Sequence, residues 1–339
     1  MNSGLNPMAL SDYFGELAAI AGAICFGLGN VIIKSQSSKI KPIAVNAIRL
    51  SFTAVFYLIV MLSLGALQTA FSLDYKTGLL LVVGTALAII IGDVVFYYSQ
   101  QLIGLSRAYP IAVSYPLLTY LIGIILGYEL YDLFRIQGVL LVVLGVYLIS
   151  SSTENDIDKY FRINNKSPVD YQLIKEQEQN EKNNTSISDQ EKKKKRNLIL
   201  GITGALTTAI CWTIGTIMLD RALTIEIQGI NANAYRMICI APLALIVFFA
   251  GNRGKQKSKF TKKGVLLVLL AGIIGNTFGS LFYLLALSFT EASTTAAITA
   301  ASPLIASPLS ILFLKEKTSL VLFMGTLLTI SGIWLIILY

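Results

Sequence analysis

Apolar residues fall along this chain in ten long blocks, roughly 15–33, 44–64, 78–100, 106–127, 135–151, 198–219, 232–250, 264–287, 293–314 and 319–338. About 20 such residues carry a helix across the hydrocarbon core of a bilayer. Within that core only helices and closed barrels satisfy every backbone group. The blocks are continuous and lack the strict alternation of barrel strands, so they predict helices. The expected fold is an all-α polytopic membrane protein with ten transmembrane helices. Composition agrees. Only 14% of the 339 residues are charged, against about 25% in soluble domains, which leaves too few to cover a water-facing surface. Residues 1–16 hold no Lys or Arg. The basic region of a signal peptide is therefore missing, and the first block reads as a retained helix.

One stretch breaks the pattern. Residues 152–196 are rich in Asn, Gln, Glu and Lys and close on four lysines and Arg196. Such a segment buries too little surface to offset its ordering entropy, so a disordered charged linker is expected. Its basic end suits a surface of anionic lipid. The linker separates units at 15–151 and 197–338, and these units repeat. Asn46, Ala47 and Arg49 return 187 positions later as Asn233, Ala234 and Arg236. Pro116, Glu129, Gly138 and Gly145 likewise return as Pro303, Glu316, Gly325 and Gly332. The first helices align with an offset of 186, Cys25 and Gly29 matching Cys211 and Gly215. Five helices per unit is an odd number, so the second copy enters the membrane from the opposite side. Two inverted five-helix repeats are a recurrent plan of secondary transporters, with the cargo site near the midplane. Duplication that serves folding alone is the other reading. Gly123/Gly127 and Gly275/Gly279 mark close helix contacts; Gly138/Gly145 and Gly325/Gly332 each share one helix face, which serves packing within the chain or a homodimer contact.

The segment from Tyr283 to Thr318, with Ser302-Pro303 and then Glu316, resembles the second half of an EamA-type unit of the drug/metabolite transporter superfamily. The first half carries the same pattern from Gly92 to Glu129, with Tyr115-Pro116 at the Ser-Pro place. Arg49 and Arg236 stand early in the second helix of each unit, where that family commonly has Arg. The resemblance implies inverted five-helix repeats, alternating access and a small metabolite as cargo, often exported. It also implies that the first, third, fourth, sixth, eighth and ninth helices face inward. Their polar and aromatic residues are then the substrate-binding candidates: Asn30, Tyr97, Tyr98, Gln101, Tyr115, Trp212, Asn276, Ser280, Tyr283 and Ser302. Aromatic and amide groups with few charges suit a small neutral or zwitterionic compound, such as an amino acid.

Three charged residues lie well inside apolar blocks, clear of the block ends. Asp93 is about fifteen residues into the third, some 20 Å from its start at 1.5 Å per residue. Intramembrane carboxylates mark proton relays, so Asp93 is the candidate for coupling to protons. The alternatives are a structural bond to Tyr97, Gln100 or a helix amine, and direct contact with an amine on the cargo. Arg49 and Arg236 cost roughly 2.5–3.5 kcal/mol each to insert if central. They serve as helix anchors or as contacts to anionic cargo at a cavity mouth.

Other chemistry is excluded. The chain contains no histidine, which removes His-dependent zinc sites and Ser-His-Asp triads. It has no P-loop for ATP. No cofactor or metal is expected, and Cys25, Cys211 and Cys239 read as small buried hydrophobes. Neither an enzyme nor a nucleic-acid binder is expected; the net charge of +8 follows from membrane topology. The alternatives to a transporter are a membrane sensor or scaffold, and an intramembrane aspartyl enzyme. Against the enzyme, Asp220 falls at a helix end and no Gly-x-Gly-Asp occurs.

Basic residues also set an orientation. They crowd the first loop (Lys34, Lys39, Lys41), the linker, and the loop holding Arg253, Lys255, Lys257, Lys259, Lys262 and Lys263. The intervening loops carry only Lys76, Arg135 and Arg221. Positive loops stay cytoplasmic, which puts the linker inside the cell and both termini outside, in the cell membrane. Members of the resembled family look the reverse; the local charge bias carries the expectation here. A cysteine introduced at Ser186 should resist an impermeant thiol reagent in intact cells, and strong labelling would overturn the orientation.

Overall fold

The computed structural model describes residues 13–34, 40–103, 108, 111–164, 187–223, 229–251, 261–302, 304–305 and 320–338. Among these every regular element is a helix. In chain order they are α1 (Phe14–Lys34), α2 (Pro42–Ser63), α3 (Tyr75–Thr85 continuing through a π segment, Ala86–Gly92, into Asp93–Ile103), α4 (Tyr115–Ile125) and α5 (Leu133–Asn164). The second half has α6 (Ile187–Ala222), α7 (Gly229–Gly251), α8 (Lys262–Ala271, a π segment Gly272–Gly279, and Ser280–Phe289), α9 (Ala292–Ala300) and α10 (Leu320–Leu338). A single helical turn, Leu67–Phe71, joins α2 to α3.

Six of these helices, α1, α2, α3, α6, α7 and α8, are long and apolar enough to cross a membrane. The apolar stretches Tyr115–Ile125, Leu133–Leu148 and Phe323–Leu338 are shorter, so helix length alone does not establish ten crossings. Helices α5 and α6 run into the expected linker from either side, and 165–186 lie outside the described residues.

The two halves interlock. Helix α1 packs on α8, and its counterpart α6 packs on α3; α2 meets α7, α4 meets α9 and α5 meets α10. Exchanging the halves reproduces the same set of pairs, so each local choice recurs. Asp74 caps α3 by accepting from the Thr77 N–H at 3.1 Å, and Thr261, 187 positions on, caps α8 by accepting from Gly264 at 3.1 Å. Both helices then widen into a π turn at matching places.

Lipid is as apolar as leucine, so close approach of small residues replaces hydrophobic burial between these helices. At Gly215 an added Cβ would stand 2.8 Å from the Gly84 carbonyl oxygen; at Gly29 it would stand 3.5 Å from that of Ala271. The glycines of α5 and α10 face one another. Gly138 lies against Gly332, and Gly145 against Gly325 and Thr329, so the two helices run antiparallel. That face is occupied within the chain and is not where a second copy docks. Gly127 departs from the helix-contact expectation. It ends α4 with φ 71°, and the Tyr128 and Gly127 N–H groups return to Gly123 and Ile124 carbonyls at 2.8 and 3.0 Å, a closure that favours glycine.

Glu129, just past this turn, is buried. It accepts from the Ser293 N–H at 3.0 Å and from its hydroxyl, satisfying a free donor at the start of α9 in the other half. Arg135 of α5 pairs with Glu291 beside it, and Arg221 of α6 pairs with Asp220 and lies 4.2 Å over the Tyr128 ring. Burial pushes the Glu129 carboxyl above its usual range; Ser293 and Arg135 pull it down, and Asp220 adds to the rise.

Two outcomes follow for stability. Gly332→Ala puts a Cβ 2.6 Å from the Gly138 oxygen. Overpacking of this kind costs about 1–3 kcal/mol, so the thermal midpoint of the purified protein should fall, with exposed Ser331→Ala unchanged. Glu129→Ala removes the cap on α9 at a cost of about 1 kcal/mol. A carboxyl whose folded pKa is raised contributes fully below its unfolded value and loses that contribution as pH rises through the raised one. Thermal scans across the acid range should therefore show a decline with rising pH that Glu129→Gln flattens.

Candidate functional site

Two arginines sit at equivalent points of the core, each held by an asparagine one turn earlier. In α2, Arg49 Nη2 donates to Asn46 Oδ1 at 2.6 Å. In α7, Arg236 Nε donates to Asn233 Oδ1 at 2.8 Å. The spacing of three residues stacks both side chains on one helix face. Asn46 Nδ2 also donates to the Ile89 carbonyl at 3.2 Å, in the π segment of α3. Asn233 Nδ2 donates to the Tyr57 hydroxyl at 2.6 Å and to Ser280 Oγ at 3.1 Å, so this bracket ties α2, α7 and α8 together. Both arginines are buried, Arg49 6% and Arg236 3% exposed.

Around Arg49 the structure assembles a charged centre. Arg49 Nη2 lies 3.7 Å from Asp93 Oδ2. The Trp212 indole of α6 donates to Asp93 Oδ1 and to the Ala88 carbonyl, both at 3.2 Å. The Tyr97 hydroxyl faces the Arg49–Asp93 pair. Asp93 is thus not a lone carboxylate; its side chain is 21% exposed and joins a cation of α2 to an indole of the opposite half. The indole reaches it because residue 92 is glycine: a Cβ there would meet Trp212 Cδ1 and Nε1 at 3.0 Å. Gly279 makes the same room for Phe26 in the other half. The Trp212 ring continues to Phe96 and Tyr115, with centroids 5.3 and 5.5 Å away.

The second centre surrounds Arg236. Its Nη2 donates to the Ser280 carbonyl at 3.2 Å and its Nη1 to Thr85 Oγ1 at 3.4 Å. Ser280 Oγ donates to the Asn276 carbonyl. Beside it the Tyr283 hydroxyl shares a 2.6 Å bond with Thr216 of α6.

Other candidates stand apart. The Tyr115 hydroxyl is engaged by α9, donating to the Ala296 carbonyl at 3.0 Å, so it braces the α4–α9 contact. Ser302 is buried beside α1, its carbonyl 2.8 Å from the Cβ position of Gly27. Asn30 is exposed on α1, and Tyr98 is 54% exposed on α3. The side chain of Gln101 lies outside the described residues. Asn46, Asn233, Thr85 and Tyr57 complete the centres without having been singled out. For the asparagines a signal existed, since both recur with their arginines three residues on.

These features agree with what the chain is similar to. An uncharacterized transporter from Archaeoglobus fulgidus is 22% identical over 95% of this chain and 97% of its own length. Two WAT1-related proteins of Arabidopsis thaliana are each 29% identical over 34% and 36% of this chain. Those matches span about a third of the plant proteins, 33% and 35%. A solved crystal structure superposes with a TM-score of 0.69 over 95% of this chain and 96% of its own, at 12% identity, which shows a shared fold. The profile of the EamA-like transporter family matches residues 13–151 and 199–338. With both halves matched and a helical, lipid-facing architecture around them, this chain belongs to the EamA-like transporter family of membrane proteins.

Proposed function

We propose that the chain is a secondary active transporter that moves a small amino acid-like metabolite, outward, by alternating access. Its two five-helix units, 15–151 and 197–338, are inverted about the midplane and cross the membrane ten times. The linker is cytoplasmic and both termini are outside. The antiparallel packing of α5 on α10 and the exchange-related contacts of the halves support the inverted arrangement. The observation that carries the mechanism is the Arg49–Asp93–Trp212 cluster, because it places an ionisable pair where the halves meet.

Asp93 is the proton-carrying group in this reading. When it takes up a proton, Arg49 loses its counter-charge and the Trp212 indole loses a charged acceptor. Contacts between α2, α3 and α6 then weaken together, so proton occupancy biases how the halves sit. Tyr97, Trp212, Asn276, Ser280 and Tyr283 are the cargo-binding candidates in this reading.

The test is flux in proteoliposomes against a panel of amino acids and related metabolites, with and without a pH gradient. Asp93→Asn alone leaves Arg49 uncompensated, at about 3–5 kcal/mol; the double variant Arg49→Gln/Asp93→Asn removes both charges. Both should exchange cargo for cargo yet fail to accumulate it against a gradient. Wild-type, pH-sensitive accumulation by either variant would end the coupling role. Absence of flux by the native protein for every compound would favour a sensor or scaffold.

A further inference from the structure

The helices regroup when they pack. Helix α1 lies along α8 and α9 of the other half, and its counterpart α6 lies along α3 and α4. Two bundles result, and their seam runs between α4 and α9 and between α6 and α8. Polar contacts cross it from Thr216 to Tyr283, from Tyr115 to the Ala296 carbonyl, and from Ser293 to Glu129. The first two join neutral groups. The last uses a carboxyl group and stands at one end of the seam, past the final turn of α4 and in the first turn of α9.

A side chain, not backbone, closes that end. Gly123 of α4 makes room for Glu129, which folds back over it: a Cβ there would stand 3.0 Å from Glu129 Cγ and Cδ. Both Glu129 and Ser293 are buried. The Ser293 N–H donates to Oε1 at 3.0 Å and its hydroxyl to Oε2, so both carboxyl oxygens are held. The contact of α5 with α10 is different. There a Cβ on Gly332 would stand 2.6 Å from the Gly138 oxygen, and backbones that touch part only by losing the whole interface. Beside Glu129, a cleft of about 270 Å³ opens between Tyr128, Ile217, Asp220, Arg221 and Glu291. The bundles are incompletely packed here, and one side chain spans them.

We infer that Glu129 is the latch of this mouth: clasping Ser293, it holds the ends of α4 and α9 together, and the bundles part there when it lets go. The role rests on the alternating-access reading, in which the bundles separate at one face while they close at the other. Glu129 follows the tight turn at Gly127 and lies outside α4, so its side chain swings away without breaking a helical bond. The Ser293 N–H is one of the donors at the start of α9 that no helical carbonyl satisfies. In the open mouth water takes over as its acceptor, so both arrangements leave it satisfied.

The test measures separation, not flux. In a background of Cys25→Ala, Cys211→Ala and Cys239→Ala, nitroxide labels go on Ile125→Cys in α4 and Ser288→Cys in α8. Both positions are exposed, one on each bundle. Pulsed electron–electron double resonance in lipid nanodiscs should give a dominant short distance. Glu129→Ala removes two hydrogen bonds, which together shift an equilibrium about tenfold, so a longer distance should gain about tenfold over the short one. Ser293→Ala keeps the N–H donor and should shift the ratio less. Gly332→Ala, which loosens the protein elsewhere, should leave the distribution unchanged. Distances unchanged in Ser293→Ala and Glu129→Ala, with only the thermal midpoint lowered, make the contact a fixed helix cap and overturn the latch; if Glu129→Ala does not fold, Glu129→Gln takes its place. Equal lengthening in Gly332→Ala overturns it as well. A distance shift without flux of any compound would retire the transporter reading and leave the latch standing; flux with unchanged distances would do the opposite.

Discussion

A guanidinium inside a bilayer must find its counter-charge and its hydrogen-bond acceptors within the protein, because lipid supplies neither. That constraint organises the centre of this molecule. Each arginine is fixed first by its own helix, through the asparagine three residues earlier. Each then reaches the third helix of one half or the other: Arg49 to Asp93, Arg236 to Thr85 and to the Ser280 carbonyl. The bonds bring α2, α3, α7 and α8 into contact along their polar faces. Trp212 extends the first centre to α6, and Thr216 and Tyr283 link α6 to α8.

The rest of the packing follows from the same solvent. Interior positions are rich in alanine, glycine, serine and threonine among larger side chains such as Tyr57 and Met237, and the exposed surface carries large apolar side chains such as Ile125, Phe249 and Trp334. This reverses the soluble pattern, because lipid-facing leucine costs nothing and close backbone approach is what holds helices together. Glycine has a second use here. Gly92 and Gly279 admit an aromatic ring from the opposite half beside the π segments. π turns often occur at functional sites, and in α3 the turn presents the Ala88 and Ile89 carbonyls to Trp212 and Asn46. Backbone acceptors are thereby brought beside the Arg49–Asp93 pair.

Much of this was legible in the amino-acid sequence, for a physical reason. Hydrocarbon thickness translates directly into runs of apolar residues, so the helices announce themselves. Duplication leaves a constant offset that survives drift at Arg, Pro and Glu positions. The positions of Asp93, Arg49 and Arg236 within apolar runs were equally visible, since charge there is rare. The sequence by itself determined the helical membrane class, the two units and where charges interrupt the apolar runs. Only the tertiary structure decided who meets whom. It paired Arg49 with Asp93 although 44 residues separate them in the chain, engaged the Tyr115 hydroxyl with α9, and gave Arg236 no carboxylate among the described residues. Linear spacing carries the face a side chain takes on its own helix, but not the rotation and depth at which another helix arrives. Those are set by the glycine contacts between helices, where a single methyl group decides the distance.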